Sequence, residues 1–151
     1  MRTIDRATVA APIDHVFRVA AGVERWPGFL PHYRWVRMLE RRERGAVVEM
    51  AAWRPFGVLK YPTWWVSEMD VIPERREVRY RHIKGITAGM GVVWRLEQQE
   101  EHVDVTIVHE WRGPRWPFIG RLAADLVIGP VFIHAIASRT LAGVKRESER
   151  A

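Results

Sequence analysis

The stretch Val23-Glu24-Arg25-Trp26-Pro27-Gly28-Phe29-Leu30-Pro31 divides the chain into two regimes. Val23 to Trp26 reads as a short helical turn. Two prolines and a glycine then rule out a regular helix over Trp26 to Pro31 and predict a rigid turn that presents Trp26 and Phe29. On the N-terminal side, Arg2 to Val9 reads as a strand, with Ile4 and Val9 among polar residues. Ala11-Pro12-Ile13-Asp14 opens a helix, with Pro12 near the first position, where its missing N–H costs nothing. Ile13, Val16, Phe17 and Ala20 give that helix an apolar face, and Gly22 stops it.

On the C-terminal side the periodicity switches to two. Tyr33 to Arg41 and Ala46 to Arg54 read as a hairpin around Glu43-Arg44-Gly45. Pro55-Phe56-Gly57 is a turn and Leu59 to Val71 a long strand. Pro73-Glu74-Arg75 turns the chain, and Glu77 to Ile83, Met90 to Gln98 and Val103 to Trp111 follow as strands. Short connections predict antiparallel neighbours. Gly113-Pro114 ends the sheet. Trp116 to Ile128 and Pro130 to Glu149 read as helical, with a break at Gly129-Pro130. Gly89 and Gly91 flank Met90 within a strand and predict a bulge or a close backbone approach. This is an α+β order with helices segregated from the sheet. A twisted sheet of about seven strands must curl, and a long helix across its concave face encloses either a packed core or a cavity.

The chain has 151 residues, 48% hydrophobic and 28% charged. That is one globular domain's worth, expected to span residues 1–151. It has no cysteine. A disulfide scaffold, thiol catalysis and cysteine-ligated metal are thereby excluded, and a reducing cytoplasm is the expected location. The N-terminus has no apolar segment of secretory type. The most apolar run, Leu122 to Ala137, is interrupted by Asp125, Gly129-Pro130 and His134, which argues against stable membrane insertion. Twenty-four Lys and Arg against 18 Asp and Glu give a net charge of +6. These cations are dispersed among acidic neighbours, so no nucleic-acid partner is expected. The cluster Arg34, Arg37, Arg41, Arg42 and Arg44 is a solvated hairpin or a dock for an acidic acyl carrier protein or a membrane surface. The sequence leaves monomer and homodimer open.

Eight tryptophans are several times the usual rate. The indole N–H seeks a partner, so so many in a small chain suggest the lining of a cavity. Side chains two apart on a strand share a face. Trp65, Ser67, Met69 and Val71 form one such face. Val78, Tyr80 and His82 form a second, and Val103, Val105, Ile107, His109 and Trp111 a third. Taken as concave faces, they make an apolar pocket in which Ser67, His82, His109 and Tyr33 are isolated polar groups, a normal composition for a small-molecule site. His82 and His109 are the acid–base candidates, since imidazole titrates near neutrality. The competing reading of the same faces is a filled core with satisfied histidines. No His-Glu-x-x-His pattern, glycine-rich phosphate loop or nucleophile elbow around Ser67 is present, so no metal, nucleotide or other cofactor is expected.

The order of elements, with Ala11-Pro12, Val16-Phe17 and the Val23–Pro31 stretch, resembles the START-like helix-grip proteins of the SRPBCC superfamily. Four segments recur in the order and spacing of bacterial polyketide aromatase/cyclases: Trp64-Trp65-Val66-Ser67, Val78-Arg79-Tyr80-Arg81-His82, Gly89-Met90-Gly91-Val92-Val93-Trp94 and Val108-His109-Glu110-Trp111. The resemblance implies a curved antiparallel sheet around a long C-terminal helix. It implies a deep pocket to which Trp26, Tyr33, Trp65 and Ser67 contribute. Phe29, Met69, Tyr80, Met90, Trp94, Ile107 and Trp111 complete the expected lining. A family arginine falls on Met69, a second on His82, and a pocket glutamine on His109. Two functions are compatible with this. One is cyclisation and dehydration of a poly-carbonyl chain, with Tyr33, His82, His109 and Ser67 polarising carbonyls or moving protons. The other is non-catalytic carriage of a lipid, quinone or other apolar molecule.

Overall fold

In the computed structural model, which describes residues 1–56, 59–112 and 130–150, the order is β1 (Arg2–Val9), α1 (Ile13–Ala21), α2 (Trp26–Phe29), β2 (Tyr33–Arg42), β3 (Gly45–Phe56), β4 (Leu59–Ile72), β5 (Glu77–Gly85), β6 (Gly91–Gln98), β7 (Val103–Glu110) and α3 (Pro130–Glu149). Short 3₁₀ turns cover Val23–Arg25 and Pro73–Arg75. The strands form one seven-stranded sheet in the order β1-β7-β6-β5-β4-β3-β2. Every neighbouring pair is antiparallel. From β2 to β7 each strand pairs with the next, as their short connections dictate. β1 and β2 lie at opposite edges, and α1 and α2 carry the chain between them. Residues 116–128, expected as a helix, the break at Gly129 and the turn at Gly57 lie outside the described residues.

One face of the sheet is buried with a period of two. Val78 on β5, Trp94 on β6 and Val103, Val105 and Ile107 on β7 are at most 3% exposed. Each buried valine or leucine contributes roughly 1.5–3 kcal/mol relative to exposure. Helix α3 covers this face with Ile133, Ala137, Leu141 and Val144, all buried, at the spacing of a single helical stripe. Two polar clamps hold it to the edge strand β1. Lys145 Nζ donates to the Thr8 carbonyl at 2.6 Å, and His134 Nδ1 contacts the buried Asp5 carboxylate.

The expectation that Trp26 to Pro31 is non-helical is corrected in part. Trp26–Phe29 makes one helical turn, and the Leu30 N–H donates to the Trp26 carbonyl at 2.7 Å. Pro27 is accommodated because it occupies the first turn, where no intrahelical acceptor waits for its absent N–H. The expectation for Gly89 is also corrected. It lies in the β5–β6 connection with φ +93°, and Met90 lies outside the strand, which begins at Gly91. Gly89→Ala, in a conformation that L residues avoid, is expected to cost about 1–3 kcal/mol. Gly91→Ala, with ordinary φ and open space around a new Cβ, is expected to change stability by less than about 0.5 kcal/mol. Urea unfolding of the two variants checks the contrast.

The arginine hairpin is largely neutralised. Arg37 pairs with Glu49, Arg41 with Glu24, Arg42 with Glu40 and Glu68, and Arg44 with Glu74. Arg34 instead lies over the Trp35 and Trp53 rings at 4.7 and 4.6 Å. None of the described helices is long and apolar enough to cross a membrane.

Candidate functional site

Between the buried sheet face and α3 lies a cavity. Its wall is a belt of rings in contact. Trp94 on β6 meets Trp26 on α2 at 5.6 Å between centroids, and Trp26 meets the Tyr33 ring edge-on at 5.3 Å. Tyr33 meets Trp65 at 6.1 Å, and Trp65 stacks on His82 at 5.6 Å with 6° between planes. Edge-on and offset contacts of this kind are the favoured aromatic geometries. All five rings line the cavity, together with Tyr80, Met90, Ile107 and His109. The opposite wall is α3, through Ile133, Ile136, Ala137 and Thr140. Trp64, which is 40% exposed, also lines it and marks the side that reaches the surface. The centre of a water-sized sphere can move through about 80 Å3 of this space. One water needs roughly 10–15 Å3 by that measure. The cavity therefore admits a ring-sized guest, and a longer chain requires side chains to move.

Nine of the thirteen residues expected at the site line this cavity: Trp26, Tyr33, Trp65, Tyr80, His82, Met90, Trp94, Ile107 and His109. Four do not. Ser67 is fully buried opposite His82 in the strand register but is not part of the lining. Met69 forms part of a second cleft with Met38 and Val71. Phe29 is packed against the core from outside. Trp111 is buried, and its indole N–H donates to the Ala88 carbonyl at 3.2 Å, tying down the β5–β6 connection. Alternation placed Ser67, Met69 and Trp111 on plausible faces, but it does not measure depth along a curled strand, and Phe29 was read only as presented by its turn.

The polar groups divide into satisfied and unsatisfied. His82 Nδ1 is 2.7 Å from Thr87 Oγ1, and its ring lies flat on Trp65. His82 is thus a fixed part of the wall. Burial holds its imidazole down to about 3, with His109 adding repulsion. Burial holds His109 down to about 4. Both are neutral at pH 7. Burial pushes the Tyr33 and Tyr80 phenols up, so they too are uncharged. The Tyr80 hydroxyl and His109 Nδ1 have no hydrogen-bond partner among the described residues. A buried polar atom in that state costs about 1–3 kcal/mol. Glu110 and Asp104 do not orient His109. They pair with Arg2 and His102 on the outer face, as strand alternation requires.

One polar pair was not anticipated. His32 Nε2 lies 2.9 Å from Thr140 Oγ1, and that hydroxyl also donates to the Ile136 carbonyl at 2.8 Å. With its proton committed to Ile136, Thr140 accepts from His32, which fixes the Nε2–H tautomer. Burial, with Arg139 nearby, lowers His32 to about 4. The signal for the helical wall was present in the sequence. Ile133, Ile136, Ala137 and Thr140 follow i, i+3, i+4, i+7 spacing, the stripe of a helix facing a core. No group of three His, Asp or Glu side chains placed to hold a metal ion occurs among the described residues.

Comparison with known proteins agrees with this architecture. A "Putative polyketide cyclase" of Streptomyces cyaneus is 33% identical over 109 residues, which are 71% of this chain and 68% of that protein. The crystal structure of the Zhui aromatase/cyclase from Streptomyces sp. R1128 is 25% identical, with a TM-score of 0.80 over 99% of this chain and 94% of that one. A START superfamily protein from Mycobacterium smegmatis, 11% identical, shares the fold with a TM-score of 0.70 over 97% of each chain. The fold is therefore the START-like helix grip. The profile of one family, described as polyketide cyclase / dehydrase and lipid transport, matches residues 9–129, and the chain belongs to that family.

Proposed function

We propose that the protein binds a poly-carbonyl or ring-bearing apolar molecule in the aromatic-belted cavity and promotes its cyclisation and dehydration. The observation that carries this reading is a pair of polar atoms without partners among the described residues, Tyr80 Oη and His109 Nδ1, in a mostly apolar wall. In an aldol closure, a carbon between two carbonyls loses a proton and bonds to a second carbonyl carbon. The new alkoxide is protonated, and loss of water forms the double bond. No oxidant or reductant enters. An imidazole with a pKa of about 4 is a weak base. His109 then acts chiefly by hydrogen bonding to a carbonyl or enol oxygen, with Tyr33 and Tyr80 as phenol donors. Most of the acceleration comes from holding a reactive chain folded and dry.

Carriage without turnover is the second reading. Met69, where the resembling cyclases have arginine, favours it. Action in the cytoplasm fits the absence of cysteine. An acidic acyl carrier protein as donor is supported by the net charge of +6, and not by the ion-paired hairpin. A synthetic poly-β-ketone thioester separates the readings. The enzyme reading expects a shift of its spontaneous products toward one cyclised species. It also expects a loss of about tenfold or more in His109→Leu and Tyr33→Phe with binding retained. Tight binding with an unchanged product distribution would establish a carrier instead.

A further inference from the structure

One cross-strand row of the buried face runs Met69, Tyr80, Val92, His109, Thr3. Three of its members carry a buried polar atom without a partner among the described residues: Tyr80 Oη, His109 Nδ1 and Thr3 Oγ1. Tyr80 and His109 flank Val92, and all three line the cavity. Two strand spacings separate their backbones by roughly 10 Å, so polar atoms reaching inward from either side bracket a ring lying over Val92. None of the described wall residues is a lysine or arginine. The titratable wall groups are two imidazoles held neutral and two phenols held neutral. A buried carboxylate needs a paired cation. Making His109 that cation at pH 7 requires its proton affinity to rise about a thousandfold.

We propose that the cavity is specific for an uncharged ring bearing a hydroxyl or carbonyl oxygen, held by Tyr80 Oη and His109 Nδ1, and that it rejects a carboxylate of the same shape. Both groups can donate or accept, so a ketone, an enol and a phenol all satisfy them. This deepens the reading above and rests on the cavity being the ligand site. It favours neutral polyketide-like or quinone-like guests over free fatty acids.

The test uses three probes of one shape: ethylbenzene, 4-ethylphenol and 4-ethylbenzoate. They are titrated at pH 7 into the full chain, and the indole N–H signals of Trp26, Trp65 and Trp94 are followed by NMR. The expected result is saturable binding of 4-ethylphenol and ethylbenzene, with 4-ethylbenzoate at least about tenfold weaker than 4-ethylphenol. Tyr80→Phe is expected to weaken 4-ethylphenol by about three- to tenfold and leave ethylbenzene unchanged. If 4-ethylbenzoate binds as well as 4-ethylphenol, or if Tyr80→Phe weakens both neutral probes equally, the selectivity is wrong while the ligand cavity stands. If none of the three moves the indole signals, the cavity reading falls with it.

Discussion

Trp26→Ala is expected to lower the unfolding free energy by about 3–5 kcal/mol, the range for removing a buried indole. Trp26 is 2% exposed. Its ring touches Tyr33 and Trp94, its Nε1–H donates to the Val19 carbonyl at 3.3 Å, and its own carbonyl accepts from Leu30. One side chain therefore ties α1, α2, β2 and β6 together. It also borders a cavity, so the space left by truncation merges with an existing hollow. Relaxation can recover little of the lost packing, which puts the cost toward the upper end. Trp26→Phe keeps a ring in place and is expected to cost less than half as much. Trp64→Ala, at a position 40% exposed, is expected to cost about 1 kcal/mol or less. Urea titrations followed by circular dichroism give all three. A loss under about 1 kcal/mol for Trp26→Ala would mean that the Trp26–Pro31 corner is an ornament on the sheet rather than its anchor.

The same corner shows what the sequence makes legible. Prolines and glycines punctuate the chain where backbone conformation is dictated locally, and strand alternation assigns faces residue by residue. β1, the β2–β3 hairpin and β5 to β7 were therefore readable to within a few residues. The site was harder because a wall is assembled from elements distant in sequence. Face was readable for Ser67 and Trp111, but depth was not. Whether a buried side chain meets a hollow or another side chain depends on sheet curl and on the helix above it. Thr140 illustrates the difficulty. Only the docking of α3 over the turn that precedes β2 brings it to His32, across a separation of 108 residues. The hairpin arginines are the converse case. Their order in the sequence left both a solvated hairpin and a docking surface open, while the register that puts Glu68 and Glu74 beside them is a property of the fold.

Acid is expected to destabilise this protein strongly well before its carboxylates titrate. In the unfolded chain each imidazole has its ordinary pKa near 6.5. In the folded chain His82 titrates at about 3 and His109 at about 4. Between those values the unfolded state binds protons that the folded state refuses, so stability rises with pH and falls as pH drops. The full stabilisation is present above pH 6.5 and is lost progressively down to about 4 for His109 and about 3 for His82. Each such histidine gives a slope of up to about 1.4 kcal/mol per pH unit. Together they give about 2.7 kcal/mol per unit once the pH is well below 6.5. His32, held down to about 4 by burial with Arg139 nearby, adds a slope of the same sign. Against a total of about 5–15 kcal/mol, two units of acidification consume a large part of the reserve. Urea midpoints at intervals from pH 7.5 to 5.0 measure the slope before Asp and Glu contribute. The double variant His82→Gln with His109→Gln removes both linked protons, and its slope in that window is expected to fall by more than half, whatever its stability at pH 7.5. A slope in the parent protein below about 1 kcal/mol per unit would mean that solvent reaches these imidazoles freely. The dry wall on which neutral-ligand selectivity depends would then not exist.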